Sequence, residues 1–344
     1  MPSTGPFSSA PLRLLQGVSR SFYLTIRLLP PPMRAPVAVA YLLARATDTV
    51  ADTTPMAAGT RSQLLTDLMT RIDASQTPVQ PSADSWTAFA DLQTDAHERA
   101  LLLAVPECLQ WLQALPADDQ TRVRWVLGHI SRGQMLDVTR FAHGLRALDT
   151  EAQLDEYTWL VAGCVGEFWT ALCERHWPGF ASETPEAMRT LGRHYGMGLQ
   201  RLNILRDTGA DLAMGRCYWP GNLLSPLGLS PQTLQAGAHS GDAVTLNRLT
   251  PLWQAQLQLT RTQLADGLRY SQALKSRRLR LATALPALLG ARTLTLLAQA
   301  GPMALSQPVK MPRREVRGLL WRLLLAGVSG RALQREFDRL SVQP

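Results

Sequence analysis

The sequence predicts an all-α protein. Leu, Ala, Gln and Arg dominate the 344 residues, and all four are tolerated well inside helices. Apolar residues recur with the period of a helix along most of the chain, whereas the strict alternation typical of strands is scarce. The length allows two domains or one large domain. Because no Gly/Ser linker divides the chain, we expect one helical domain over residues 11–344.

Segments rich in Pro, Gly and Ser mark the interruptions of this helical chain. Residues 1–10 have this composition and are expected to form a flexible tail. Residues 75–85 and 220–242 are expected to be long loops for the same reason. The remaining chain carries the helical pattern.

Two aspartate pairs with the same internal spacing indicate the chemistry. Asp48 and Asp52 form one pair, and Asp207 and Asp211 form the other. Positions i and i+4 of a helix lie on one face, so each pair brings together two like charges that repel. A cation would relieve this repulsion. Oxygen ligands without nearby Cys or His favour Mg²⁺, which binds one or two carboxylates together with substrate phosphates.

Polar residues extend both pairs along the same helix faces. Tyr41 and Arg45 precede the first pair at helical spacing, and Gln200 and Asn203 precede the second. The segments are otherwise rich in Ala, Leu, Val and Ile. Since a buried unpaired charge is costly, these stripes indicate paired ions or a polar cavity rather than a solvated surface.

Several segments make the chain similar to a known family. They are S-R-S-F at 19–22, Y-L-L-A-R-A-T-D-T-V-A-D at 41–52, Y-T-W-L-V-A-G-C-V-G at 157–166, G-L-Q-R-L-N-I-L-R-D-T-G-A-D at 198–211, G-R-C-Y-W-P at 215–220 and V-K-M-P-R-R at 309–314. In order and spacing they resemble the squalene and phytoene synthases, the head-to-head branch of the trans-isoprenyl diphosphate synthases.

The resemblance implies a single-domain helical bundle of the isoprenoid synthase type around a central prenyl-chain cavity. The implied reaction condenses two farnesyl diphosphates through presqualene diphosphate to squalene, with Mg²⁺ and NADPH. Phytoene-type or dehydrosqualene-type synthesis without a reductant remains open, as does an enzyme that stops at presqualene diphosphate. A binding or assembly protein of the same fold is a further alternative.

Site residues follow from the same resemblance. The implied Mg²⁺ ligands are Asp48, Asp52, Asn203, Asp207 and Asp211. The implied diphosphate contacts are Ser19, Arg20, Ser21, Tyr41, Arg45, Gln200, Arg206 and Arg216. Tyr157 is implied in acid–base chemistry or in guiding a carbocation. Lys310 and Arg313 are implied in holding the phosphates of NADPH, because V-K-M-P-R-R resembles a basic segment near these phosphates in squalene synthases. No G-x-G-x-x-G loop follows a strand, so a Rossmann-like site is not expected.

Small and apolar residues are expected to shape the prenyl pocket. Gly163 and Gly166 would let a prenyl chain lie against their helix, and Gly196 and Gly198 would do the same on a facing helix. Further expected wall residues are Phe22, Phe168, Trp169, Met135 and Asp137.

The chain departs from the family pattern in both acidic motifs. The family often carries Glu just before the last Asp of each motif, and Ala51 and Ala210 stand there. Each site thereby loses one carboxylate. We expect lower metal affinity, which a Glu at either position would raise.

The net charge of +8 fits an anionic diphosphate substrate and an anionic membrane surface, and no basic-aromatic motif indicates nucleic acid. Residues 281–300 are apolar but contain Pro286 and Arg292, so a spanning helix is not expected. Residues 318–327 fit either a packed helix or a peripheral membrane contact. Four cysteines without C-x-x-C spacing indicate a cytoplasmic protein. The oligomeric state stays open, and a monomer is compatible with the sequence.

Overall fold

The computed structural model describes residues 9–19, 23, 26, 29–53, 56–73, 83–326 and 329–341. The described chain is helical apart from one short pair of strands, so the all-α prediction is confirmed. Contacts divide the chain into two compact units. The first comprises residues 1–142 and 171–178, and the second comprises residues 143–170 and 179–344. The prediction of a single domain stays a prediction.

The first unit is built on two long helices that pack on each other. Its described helices are α1 (Ser9–Val18), α2 (Pro31–Asp52), α3 (Ala58–Asp73), α4 (Ala83–Asp91), α5 (Ala96–Leu103), α6 (Val105–Gln113) and α7 (Ala117–Arg140). Helices α2 and α7 form the central pair, and α3 also packs on α7. Leu42, Leu43 and Leu127 are fully buried in this unit.

The second unit surrounds one helix of 29 residues. Its elements are β1 (Arg146–Leu148), α8 (Glu151–Thr158), a π-helical turn (Trp159–Gly163), α9 (Cys164–His176, whose last residues belong to the first unit), α10 (Pro185–Ala213), β2 (Arg216–Pro220), α11 (Gly221–Leu224), a 3₁₀ turn (Ser225–Leu227), α12 (Pro231–Ser240), α13 (Ala243–Asn247), α14 (Thr250–Ala273), α15 (Arg277–Ala300), a 3₁₀ turn (Gly301–Leu305), α16 (Arg313–Ala326) and α17 (Gly330–Ser341).

Helix α10 carries the second aspartate pair, and its ends are encoded locally. The Thr184 hydroxyl accepts a hydrogen bond from the Ala187 N–H, and Pro185 occupies the first turn, where a missing N–H costs nothing. Beyond the helix, Gly215 adopts a φ of +81°, which lets the chain turn into β2. β2 pairs in parallel with β1, with Arg216 opposite Arg146. Helix α14 packs along α10 and α15 packs on α14.

The predicted loop at 220–242 is wrong, because most of it is helical. The Ser230 side chain accepts from the Thr233 N–H, and the Thr233 hydroxyl caps the Ser230 N–H in return. This capping box, with Pro231 in the first turn, starts α12, and Gly241 ends it with a φ of +69°. In the loop predicted at 75–85, residues 75–82 lie outside the described residues and Ala83 already belongs to α4. Most of the predicted tail also lies outside them, and α1 begins at Ser9.

One described helical stretch, Arg277–Leu305, has the length and apolar composition of a membrane span. Much of it is packed in the core of the second unit. Ala284, Leu288 and Leu297 are fully buried there, among residues of α10 and α14. Burial inside the protein accounts for this composition without a membrane.

Candidate active site

The first aspartate pair lies on the last turns of α2 in the first unit. Arg45 Nη1 donates to Asp48 Oδ2 at 2.5 Å, and Arg45 Nη2 also donates to the carboxylate of Glu98 on α5. Glu98 is held by the start of its own helix, where the Asp95 carboxylate accepts from the N–H groups of His97 and Glu98. One guanidinium thus joins two acidic side chains from two helices.

Glu98 is a residue that sequence reasoning missed. Its only signal was its place three residues after Asp95, an arrangement typical of a helix start rather than of a site. In the structure Glu98 faces the first aspartate pair through Arg45. It therefore adds a third carboxylate to the electrostatics of this pair.

The electrostatics of Asp48 favour binding a cation. Burial and the charge of Asp52 raise the pKa of Asp48, Arg45 lowers it, and the net pKa is about 6. The side chain nevertheless remains 40% exposed, so a solvated ion can reach it. At neutral pH a carboxyl group with this pKa is largely ionised, and a divalent cation would offset its repulsion from Asp52.

The second aspartate pair repeats the arrangement on α10 in the second unit. Arg206 Nε and Nη2 donate to Asp207 Oδ1 and Oδ2 at 2.8 and 2.5 Å, which is a bidentate pair. The hydrogen bond to Asp207 raises the pKa of Arg206 against the effect of burial. One turn earlier, Asn203 Nδ2 donates to Gln200 Oε1 at 3.4 Å. Each predicted stripe thus lies on one helix, with an arginine on its first aspartate.

The ligand chemistry of each pair fits Mg²⁺. Both pairs offer carboxylate oxygens, and the second also has the Asn203 amide close by. Within the described residues, no three or more His, Cys, Asp or Glu side chains converge as a metal cluster. A Mg²⁺ ion at either pair would therefore take its other ligands from water and diphosphate, which is the usual coordination of Mg²⁺ in proteins.

Tyr157 lies near the end of α8 and is buried against a second tyrosine. Its ring stacks on Tyr218 of β2, with centroids 4.8 Å apart, and its hydroxyl donates to the Tyr218 oxygen at 3.3 Å. The chain then passes through the π-helical turn, a distortion that is frequent at functional sites. Sequence reasoning missed Tyr218, although the aromatic residue in the G-R-C-Y-W-P segment was its signal.

Arg201 of α10 is a further residue that sequence reasoning missed. It is only 2% exposed, and it donates to Gln256 Oε1 at 2.8 Å and to the Asp155 carboxylate. Burial lowers its pKa to about 10. Arg201 anchors α8 and α14 to α10, and α8 is the helix that carries Tyr157. Arg201 does not share the helix face of the polar stripe that runs from Gln200 to Asp211, so the sequence pattern did not single it out.

The glycines predicted to line the prenyl pocket instead allow helices to touch. A Cβ on Gly166 would lie 1.8 Å from the Gly192 carbonyl oxygen, and one on Gly196 would lie 2.1 Å from the Ala162 oxygen. The space beside Gly163 and Gly198 is filled in the same way. A Cβ there would lie 2.9 Å from the Met197 side chain and 2.7 Å from the Gln263 side chain, respectively. The pocket prediction for these four is wrong, because protein atoms occupy the space that the missing side chains leave.

The other predicted residues lie on several elements of the two units. Ser19 is described and its carbonyl accepts from the Tyr23 N–H, while Arg20, Ser21 and Phe22 lie outside the described residues. Phe168 is buried. Met135 lines a groove of about 540 Å³ in the first unit, beside Trp125 and His129.

Lys310 and Arg313 are solvent-exposed. Within the part of the chain that the structure describes, neither forms an ion pair. Their role as phosphate contacts, like the roles of the other site residues, stays a prediction.

The comparison that decides the family covers nearly the whole chain. The family model described as squalene/phytoene synthase matches residues 15–315. The chain belongs to the squalene/phytoene synthase family. The matched range contains both aspartate pairs, Tyr157 and the segment with Lys310 and Arg313. The resemblance drawn from the motifs is thereby confirmed.

Among curated relatives, squalene synthase from Eremothecium gossypii is 27% identical over 69% of this chain. Squalene synthase ERG9 from Saccharomyces cerevisiae is 28% identical over 72% of it. The chain spans about half the length of these relatives, 53% and 54% respectively.

Solved structures share the fold of this squalene/phytoene synthase family member. The complex of TcSQS with the ligand BPH1237 has a TM-score of 0.75 at 20% identity, covering 96% of this chain and 89% of that one. The squalene synthase HpnC from Alicyclobacillus acidocaldarius has a TM-score of 0.58 at 20% identity, covering 85% and 93%. At these identities the likeness concerns the fold.

Proposed function

We propose that the protein condenses two farnesyl diphosphates head to head, through presqualene diphosphate, to squalene. The observation that carries the proposal is the repeated site: on each of two helices an aspartate pair at i and i+4 has an arginine on its first carboxylate. The curated relatives named above are squalene synthases, which favours squalene over the products of the sister enzymes.

The chain's own residues would act mainly by binding charge. Asp48, Asp52, Asn203, Asp207 and Asp211 would hold Mg²⁺, and the ion, when bound, neutralises the diphosphate as its C–O bond breaks. Arg45 and Arg206 present forked donors that match phosphate oxygens. Tyr41, Gln200, Arg216 and the S-R-S segment are the further proposed diphosphate contacts.

Tyr157 would take part in proton transfer and would stabilise the carbocation. Its hydroxyl already donates to Tyr218, so the pair can hold or pass a proton between two phenol oxygens. The stacked rings present a π surface that stabilises a passing carbocation. Burial of both rings keeps water away from that cation.

The finer choice among products depends on NADPH. Lys310 and Arg313 are two exposed cations close in sequence, and their charge fits the phosphates of the dinucleotide. The reductant, when bound, would supply the hydride that squalene requires. A family member that uses no reductant would release a dehydrosqualene-type or phytoene-type product, or would stop at presqualene diphosphate.

The test is product identification by mass. Purified protein with farnesyl diphosphate and Mg²⁺ should give presqualene diphosphate without NADPH and squalene with it. The double variant Lys310→Ala and Arg313→Ala should keep the first product and lose most of the second. Lys275→Ala with Arg277→Ala, an exposed pair elsewhere in the second unit, is the matched control and should behave like the wild type.

Two outcomes would contradict the proposal. A product profile that is indifferent to NADPH, or a preference for geranylgeranyl diphosphate, would assign the protein to the phytoene-type branch. A protein that binds farnesyl diphosphate but never releases diphosphate would be a binding protein of this fold.

A further inference from the structure

Helix α16 has one packed face and one exposed face. Leu319 and Leu323 are buried in the core of the second unit. On the other side Arg314, Arg317 and Trp321 are spaced by three and four residues, Leu320 follows Arg317 by three, and all four are exposed on one face. Trp321 is 65% exposed, well above Trp125 and Trp177 at 39% and 40%. We call these four residues the outer face of α16.

The charge of the outer face is positive, and the carboxylates nearby form their ion pairs with other arginines. Glu315 is engaged by Arg292 at 2.6 Å. Glu336 of α17 is engaged by Arg322 and Arg339 at 3.0 and 2.8 Å. Among the described residues no carboxylate forms an ion pair with Arg314 or Arg317. The outer face therefore presents unpaired cations beside an exposed indole.

We propose that the outer face of α16 binds the surface of an anionic lipid bilayer. Trp is suited to the headgroup region, because its ring is largely apolar and its N–H is polar. Arg side chains at the same level can reach the phosphates while Leu320 and Trp321 enter the acyl boundary. Both interfacial signals, apolar side chains and basic residues, thus lie on one helix face.

A protein partner fits the same face less well. A stable protein interface buries about 800 Å² on each side, with an apolar centre of several residues. The outer face has two exposed apolar side chains, which is far less. An anionic membrane needs no such area, since each basic residue near its surface raises the binding constant about fivefold.

The experiment is flotation of the full chain with lipid vesicles, without substrate, so that its outcome is independent of catalysis. We expect binding to vesicles of phosphatidylcholine mixed with phosphatidylglycerol, little binding to phosphatidylcholine alone, and loss of binding as salt is raised. A protein that stays unbound with both vesicle types would overturn the proposal. Equal binding to both types would also contradict it, because charge would then play no part.

Variants locate the contact. Arg314→Gln with Arg317→Gln should weaken binding about 25-fold, as two basic contacts are lost. Trp321→Ser should weaken it about tenfold or more, because the apolar contact is lost. The matched controls are Arg277→Gln with Arg278→Gln, and Trp177→Ser, which remove exposed residues of the same kinds elsewhere. Arg313 is kept, because it belongs to the proposed NADPH contact.

The controls should bind vesicles like the wild type, and every variant should keep its thermal unfolding midpoint within a few degrees. Equal loss in the variants and their controls would show general charge attraction and contradict a localised contact. A self-association seen by sedimentation velocity, lost in Trp321→Ser while vesicle binding is unchanged, would assign the face to a second copy of the chain instead.

Discussion

The hydroxyl of Tyr157 donates a hydrogen bond to the hydroxyl of Tyr218 at 3.3 Å, with the two rings stacked at a centroid distance of 4.8 Å. Tyr157 comes from a helix and Tyr218 from a strand, and both are buried. Two phenols in this arrangement can share protons and offer one continuous π surface. The pair unites a residue that the resemblance implied with one that only the structure revealed.

Tyr157→Phe should therefore lower turnover by about 10²-fold or more, which is the usual contribution of acid–base catalysis. Tyr218→Phe should have a smaller effect in the same direction, because the first hydroxyl remains. Tyr195→Phe is the matched control: its hydroxyl donates to the Thr283 carbonyl at 2.7 Å, and its loss should cost about 1 kcal/mol of stability without reducing turnover. Steady-state rates and urea unfolding separate the two effects.

Asp48→Asn or Asp207→Asn should lower turnover by about 10²-fold or more, because the developing charge on diphosphate would lose its metal. Asp91→Asn is the control, since Asp91 also pairs with an arginine, Arg99 at 2.6 Å, but outside both motifs. Near-normal rates in either motif variant with Mg²⁺ present would refute the metal assignment.

The raised pKa of Asp48 predicts a pH dependence of stability. Its folded-state value of about 6 lies above the ordinary 3.8, so between these values the folded protein binds more protons than the unfolded chain. In the absence of Mg²⁺ the free energy of unfolding should thus fall as pH rises from about 4 to about 6. Asp48→Asn does not titrate there, so it should gain stability relative to the wild type across this window.

Urea unfolding midpoints at a series of pH values without Mg²⁺ give this comparison directly. If the difference in unfolding midpoint between Asp48→Asn and the wild type were the same at every pH, the raised pKa of Asp48 would be contradicted. Addition of Mg²⁺ at pH 7 should stabilise the wild type more than Asp48→Asn, because a ligand stabilises only the state that binds it and the variant keeps only the second aspartate pair intact.

The sequence was sufficient where a local rule determines the structure. The spacing of Asp207 and Asp211 places both on α10, and the period of the apolar residues predicts the helical class. It was insufficient where tertiary contacts decide. A Ser-Pro start and a terminal Gly made 220–242 resemble a loop, yet the same residues cap α12.

The glycines illustrate the same limit at the site. A gap in a helix surface can receive a ligand or a second helix, and the sequence contains no sign of which one fills it. In the structure backbone atoms fill the gaps at Gly166 and Gly196. The partners of Glu98 and Tyr218 likewise could not be predicted from the sequence, because each residue is brought to its partner by the packing of a different element.

The two alanines that replace the family's glutamates should respond differently to restoration. Ala210 is exposed, so Ala210→Glu should be tolerated and should lower the Mg²⁺ concentration for half-maximal rate about two- to fivefold. Ala51 is only 3% exposed, and Ala51→Glu should cost about 1–3 kcal/mol of stability through overpacking. A Mg²⁺ titration of the rate and urea unfolding of both variants test this. An unchanged Mg²⁺ requirement in Ala210→Glu would contradict the proposed site geometry.

The last prediction rests on the close contact of α10 with the π-helical segment and with the start of α9. Gly166→Ala and Gly196→Ala would place a methyl group 1.8 and 2.1 Å from backbone oxygens, so the two helices must separate. We expect a loss of about 1–3 kcal/mol for each, since backbone atoms cannot yield as a flexible side chain can. Gly128→Ala is the control in α7: its new Cβ meets no atom within 4 Å, so it should gain up to about 1 kcal/mol from the better helix propensity of Ala. Urea unfolding of the three variants gives the comparison. If the first two were as stable as the control, the gap between these helices would be open, and the pocket role first predicted for these glycines would be restored.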